Sequence, residues 1–327
     1  MKRNAITPQN IRVDAATMAS VRDAARTFGL RMDARETAIL ARQLEYVKTR
    51  TYDVKYPAMK ARTFIPVSKN VPPGAESITY RQWDQFGMAK VVANYADDLP
   101  LVDAMAKEFT TPVKSLGDGY QYSIQDLRAS AMSGANLDTA RATAARRAIE
   151  AGVDEIAAFG LPEANIHGFL NHPNVPVVAP VNGNWAAATA EEILEDMNAL
   201  VTAIVVNSKE VHTPDTLLLD SASFNLVASK PAGADLEKTV LAVFLSTNPY
   251  IRNVDQWTKL DTADADGTGP RIMAYARDPE VVELEIPQDF EQLPPQPRNL
   301  AFVVPCHARI GGTVIRYPLA MAYMDGV

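Results

Sequence analysis

A single cysteine, Cys306, stands in 327 residues, and only four histidines accompany it. One thiol excludes an intrachain disulfide and any cysteine-built zinc site within one subunit. His167, His172, His212 and His307 do not fall at metal-ligand spacing on any expected helix face, and this predicts no metal site and no cofactor. Long apolar runs are missing too: the greasiest stretches, such as Leu200 to Val206, are about two helical turns or less and too short to cross a bilayer. Residues 1–30 hold Arg3, Arg12, Asp14, Arg22, Asp23 and Arg26 with no apolar block between them, so no secretory leader is expected there. An excess of positive charge is likewise absent, since the net charge is −7. A chain whose main task is gripping nucleic acid by its phosphates needs a positive field, so that task is not expected here.

What is present is ordinary globular material, 47% hydrophobic and 22% charged. Its charge is uneven: residues 1–50 carry ten Lys/Arg against five Asp/Glu, net +5, leaving −12 for the rest. Residues 1–32 lack a sustained apolar face and read as an extended arm. Asp33 and Glu36 form a capping box for a helix to about Thr49. Prolines 57, 66, 72 and 73 mark a connection with a short strand at Thr63–Val67. Two extended stretches, Ile78–Val92 and Leu99–Val113, flank a polar turn at Asn94–Asp98 and read as a hairpin. Tyr80, Trp83 and Phe86 do not alternate as one buried face requires, which predicts apolar partners on another chain.

Tyr120, Tyr122 and Ile124 alternate with polar residues as in a half-buried strand. A long helix is expected from Asn136 to Phe159, closed by Gly160. One of its faces is built of small residues, and Asp154 and Glu155 oppose its dipole near the C-terminal end unless cations from elsewhere compensate them. Thr189 and Glu192 box the start of a third helix through Ile204. Short elements follow: a strand at Thr216–Leu219, helices near Phe224–Ala228 and Leu236–Leu245, and strands near Ile251–Trp257, Arg271–Ala276, Val281–Ile286, Ala301–Pro305 and Thr313–Arg316. The class is α+β.

The search for chemistry returns nothing. Cys306 and His307 are strand neighbours pointing to opposite faces, so they cannot act as nucleophile and base; Cys306 reads as a small buried hydrophobe. Asp264, Asp266 and Gly267 suggest a calcium loop, but Thr262 and Met273 occupy its first and last ligand positions, which leaves a surface turn. No enzyme activity is expected.

Several phrases resemble a major capsid family recorded mainly from phages and prophages: Ile78-Thr-Tyr-Arg-Gln, Phe86-Gly-Met-Ala-Lys, Ala93-Asn-Tyr-Ala-Asp-Asp-Leu-Pro, Ala144-Ala-Arg-Arg-Ala and the ending Gly311-Gly-Thr-Val-Ile-Arg-Tyr-Pro. The order of elements is similar to the Hong Kong 97-type capsid fold, which encapsulins share. The resemblance implies an N-terminal arm at 1–32, a peripheral domain at 33–75, 113–212 and 284–327 with a spine helix at 136–159, an extended E-loop at 76–112, and an axial domain at 213–283. It implies a structural subunit that joins copies of itself as pentamers and hexamers into an icosahedral shell around a tailed-phage genome. Scaffold, portal and decoration proteins are its further partners, and it neither enters a membrane nor reads DNA sequence. The virion capsid is the implied location, with synthesis in the host cytoplasm. With the first helix starting at Asp33, no fused scaffolding domain is expected, and a separate scaffold or none would serve. Tyr80, Trp83, Phe86, Lys90, Asp97, Asp98, Arg146 and Arg147 are the expected inter-subunit contacts. Lys90 has no matching crosslink partner, so no crosslink is expected. An encapsulin shell protein and an α+β enzyme remain as alternatives.

Overall fold

The computed structural model describes residues 56–86, 103–133, 138–233 and 236–327. The chain divides at Pro57 into two units, and the fold described is that of the second, Ala58–Val327. The arm, the helix expected at 33–49, and the hairpin tip with Lys90, Asp97 and Asp98 lie outside the described residues.

The chain enters through a one-turn helix α1 (Ala61–Phe64) and a short strand β1 (Val67–Ser68). A continuous strand at Thr63–Val67 is therefore not formed. The physical reason is local: the Ala61 amide donates to Asp154 Oδ1 at 2.9 Å, and Phe64 and Ile65 turn into the core. Strands β2 (Ser77–Phe86) and β3 (Asp103–Pro112) then pair antiparallel through ten residues each, the expected hairpin. Strand β4 (Lys114–Ser123) follows and stops one residue short of Ile124. There Ser123 Oγ accepts from the Asp126 amide at 3.0 Å and opens helix α2 (Ile124–Ser133), so Ile124 begins a helix and does not continue the strand.

Helix α3 (Asp138–Phe159) is the long rod expected, and Gly160 ends it at φ +76°. Two strand pieces, β5 (Gly160–Leu161) and β6 (Ile166–His167), turn the chain back, and β7 (Val177–Val178) leads toward α4 (Ala190–Asn207). Both bonds of the Thr189–Glu192 capping box are present at the start of α4. Strand β8 (Thr216–Leu219), helix α5 (Ser221–Ser229), strands β9 (Pro231–Gly233) and β10 (Leu236–Thr239), and helix α6 (Val240–Thr247) come next. The helix expected from Leu236 thus starts four residues later. Leu236–Thr239 pairs with β9, and Thr239 Oγ caps α6 by accepting from the Ala242 amide.

The remainder is β11 (Asn253–Gln256), β12 (Arg271–Tyr275), β13 (Val282–Glu285), β14 (Gln288–Gln292), β15 (Gln296–Arg298), β16 (Ala301–Ile310), β17 (Gly312–Ile315) and β18 (Met321–Asp325). Strand β16 runs five residues beyond the expected Pro305, and its full length is ten because all of it pairs with β4.

A five-stranded sheet, ordered β11-β8-β12-β18-β7, is the wall between two apolar cores. Its side chains alternate between them. Leu218, Met273, Tyr275, Met321 and Tyr323 face a core shared with α3, Phe169 and Trp257. Leu217, Leu219, Ile272, Ala274 and Met324 face the other, built on Ile193, Met197, Leu200 and Ile204 of α4. A sheet buried on both faces reads as an unbroken hydrophobic run, which is why Thr216–Leu219 and Arg271–Tyr275 show little alternation in sequence.

Candidate inter-subunit surface

The long helix α3 is anchored to the sheet of β4, β14, β15 and β16. Ala145 and Ile149 pack with Cys306 and Ala308, the small apolar setting expected for the lone thiol, whose pKa burial pushes up. Arg141 lies 4.8 Å from the Tyr122 ring centre and donates to the Gln121 carbonyl at 2.6 Å. The acidic end of the helix finds the cation it needs: Lys259 sits 3.8 Å from Asp154, pairs with Glu155, and lies 5.7 Å from the Phe159 ring centre.

Further along the chain, Asp196 of α4 is wholly buried, and four N–H groups converge on it. The amides of Val181 and Asn182 reach Oδ1 at 2.7 and 2.9 Å, while the Gly183 amide and Trp185 Nε1 reach Oδ2 at 3.0 and 2.9 Å. A buried ion is tolerated here because its lone pairs are met. Arg271, 4% exposed, makes a bidentate pair with Asp325 at 2.6 and 2.7 Å and a third bond to the Leu170 carbonyl at 2.6 Å. This ties the last strand into the core.

The hairpin is different in kind. At its base Ile78 packs so closely on Gly311 that a Cβ there would come within 2.6 Å of Ile78 Cδ1. Tyr80 stacks on Phe109 with centroids 5.2 Å apart, and the Arg316 guanidinium lies 5.9 Å from the Tyr80 ring. Arg316 is itself held by Glu283 at 2.5 Å and the Pro279 carbonyl at 2.6 Å. Alternate residues of β2 therefore divide: Ile78, Tyr80 and Gln82 face the body and are half-buried, while Thr79, Arg81 and Trp83 point outward and are exposed. The outward face is stitched by a Thr79–Thr110 hydroxyl pair at 2.8 Å and an Arg81–Glu108 ion pair at 2.7 Å. Farther out, both faces carry uncovered apolar surface. Trp83 is 65% exposed on one face, and Met105, paired opposite Asp84, is 61% exposed on the other.

Of the expected contact residues, Tyr80 is thus seated on its own subunit, and Trp83 projects from it. Phe86 ends β2 opposite Asp103, with its side chain outside the description. Arg146 is exposed on α3, 5.9 Å from the Phe290 ring, and Arg147 is half-buried. The described ones are not gathered into one site; they lie on the hairpin and on helix α3 separately.

Among the described residues no group of three or more His, Cys, Asp or Glu is placed to hold a metal ion. Asp264 accepts from the Thr268 amide at 2.7 Å in a turn with Gly267 at φ +73°, and backbone hydrogen bonds from Gly269 first, then Thr268 and Gly267, hold its carboxyl below the usual range. No helix among the described residues is long and apolar enough to cross a membrane.

Two packed cores, a long helix laid on a sheet, and a long hairpin seated at its base on the body make up an α+β fold. Solved structures agree at the level of fold. The capsid of Myoviridae phage XM1 superposes with a TM-score of 0.78 at 17% identity, covering 88% of this chain and 98% of that one. A chain from Mycobacterium phage Ogopogo gives 0.60 at 11% identity, with 88% and 98% covered. A virus-like particle from Pyrococcus furiosus gives 0.51 at 16% identity, with 80% and 90% covered. Comparison with curated protein sequences gives no match. Residues 87–327 match the model of the major capsid protein family, and the chain belongs to that family. It is a structural capsid subunit.

Proposed function

We propose that copies of this chain close into the icosahedral shell of a tailed phage, as pentamers and hexamers, with the hairpin as a strap between subunits. The observation that carries this is the hairpin itself. A two-stranded ribbon is marginal alone, and this one exposes Trp83 and Met105 on opposite faces, so it needs neighbours on both sides. Residues 1–32 would be the arm, 76–112 the E-loop, 136–159 the spine of the peripheral domain, and 213–283 the axial domain at the symmetry axes. The role is structural and not enzymatic. DNA would be enclosed without sequence reading, and portal, scaffold and decoration proteins would complete a particle assembled in the host cytoplasm.

The test is Trp83→Ser, which removes a large exposed ring and touches no core. Circular dichroism and melting of the subunit should match the parent, while electron microscopy shows capsomers or free subunits in place of closed shells. Normal shells of parental stability would refute the strap. A shell filled with a protein cargo and free of nucleic acid would favour the encapsulin reading instead.

A further inference from the structure

Between the inner face of the hairpin and the body lies a cavity of about 240 Å3. Tyr80 and Phe109 form its hairpin side, and His167, His172, Thr313 and Arg316 form the body side. Among the described residues no carboxylate lines it. The two imidazoles meet edge to face with centroids 5.3 Å apart. His172 Nδ1 accepts the Asn174 amide at 3.2 Å, so the neutral ring carries its proton on Nε2. A second proton would have to sit on Nδ1, against an N–H that already points there. The backbone amide of the same residue donates to the Tyr323 hydroxyl at 3.3 Å, which fixes the ring's root on the buried core. Burial, with the neighbouring His167 second, holds the His172 pKa down to about 4.

Among the described residues the cavity wall offers an imidazolium no anion in exchange. From the hairpin it meets the Tyr80 phenol, whose pKa burial raises, and the neutral Gln82. From β17 and the residue after it come Thr313 and the already cationic Arg316, whose partner Glu283 is not part of the cavity wall. From below comes Tyr323, over which the guanidinium of the Arg271–Asp325 pair is stacked at 4.6 Å. Charging His172 would place a second cation beside Arg316 under the seat of the hairpin.

We propose that His172, set against His167, is a proton-operated latch: neutral, it lets the base of the hairpin seat on the body, and charged in acid, it unseats it. The latch acts within one subunit and holds whatever the hairpin grips.

The test is hydrogen exchange of the full-length protein at pH 7.5 and pH 5, corrected for intrinsic exchange rates and read on peptides from β2 and β3. A folded pKa of about 4 against an ordinary 6.5 allows roughly thirtyfold unseating at pH 5, and the partial exposure of His172 reduces this to about tenfold. Hairpin protection in the parent should fall by about that factor relative to β12 and β18. His172→Gln, which cannot charge, should abolish most of the fall. His167→Gln, at an exposed position, removes the neighbouring ring that helps hold His172 neutral and should reduce it. Equal loss in the parent and in both variants would overturn the latch, as would a parent hairpin whose protection does not respond to pH. If His172→Gln fails to fold, His167→Gln decides alone, and an undiminished fall in it overturns the proposal.

Discussion

Asp196→Asn changes one atom of a side chain that is fully buried and keeps its shape. In the native site two N–H groups converge on each carboxylate oxygen, Val181 and Asn182 on one, Gly183 and the Trp185 indole on the other. An asparagine must turn its amide nitrogen toward one of these pairs, so two donors meet a donor whichever way it flips. Each buried donor left unpaired costs about 1–3 kcal/mol, and charge-assisted bonds sit toward the upper end, so the loss should be about 3–5 kcal/mol. The relevant assay is urea unfolding of dissociated subunits followed by far-UV circular dichroism. The midpoint should fall with the slope unchanged, because the same surface is exposed on unfolding. Fluorescence should report the local event as well, since Trp185 is buried and loses its partner. Asp196→Ala, which orphans all four donors, should be worse still. A loss below about 1 kcal/mol for Asp196→Asn, or equal losses for both variants, would refute the reasoning that charge and geometry together hold the 181–185 loop.

Two further predictions concern other buried charges. Arg271→Met and Asp325→Leu should each destabilise by about 3–5 kcal/mol, while the double variant should recover a large part of that, so a urea double-mutant cycle should show strong positive coupling; additive losses would contradict it. Glu285 has a buried side chain with Oε2 unpartnered, and burial raises its pKa. A raised folded pKa means its contribution to stability is fully present below the ordinary glutamate range and is lost as pH rises through the folded value. Glu285→Gln should therefore melt above the parent at pH 8, and the difference should close near pH 4; a variant less stable at pH 8 would refute this.

How much of this was legible in the sequence depends on the range of each interaction. The Thr189–Glu192 box and the long helix ending at Gly160 rest on contacts within a few residues, and both stand as expected. The start of α2 was equally local, but the Ser123–Asp126 pair that makes it was hidden behind the alternation of Tyr120 and Tyr122. The acidic end of α3 showed that a cation was needed, yet nothing local could identify Lys259, which lies over a hundred residues downstream. The hairpin was visible as two extended runs, but its division of labour was not. Tyr80 is seated by Arg316 from the closing segment, and Trp83, three positions away, faces outward. Nothing in the sequence singles out Asp196, because the loop that folds over it has no sequence signature of a partner. Leu236–Thr239 carries a helix-compatible pattern and became a strand because β9 offered it an edge.

The central claim, that this chain is a shell subunit held together partly by its hairpin, is tested most directly by electron microscopy of the purified protein across a range of salt and pH. Closed icosahedral particles, with the residues of β2 and β3 resolved against neighbouring subunits, are the predicted result. A stable monomer or small oligomer under all conditions, with no particles, would contradict it.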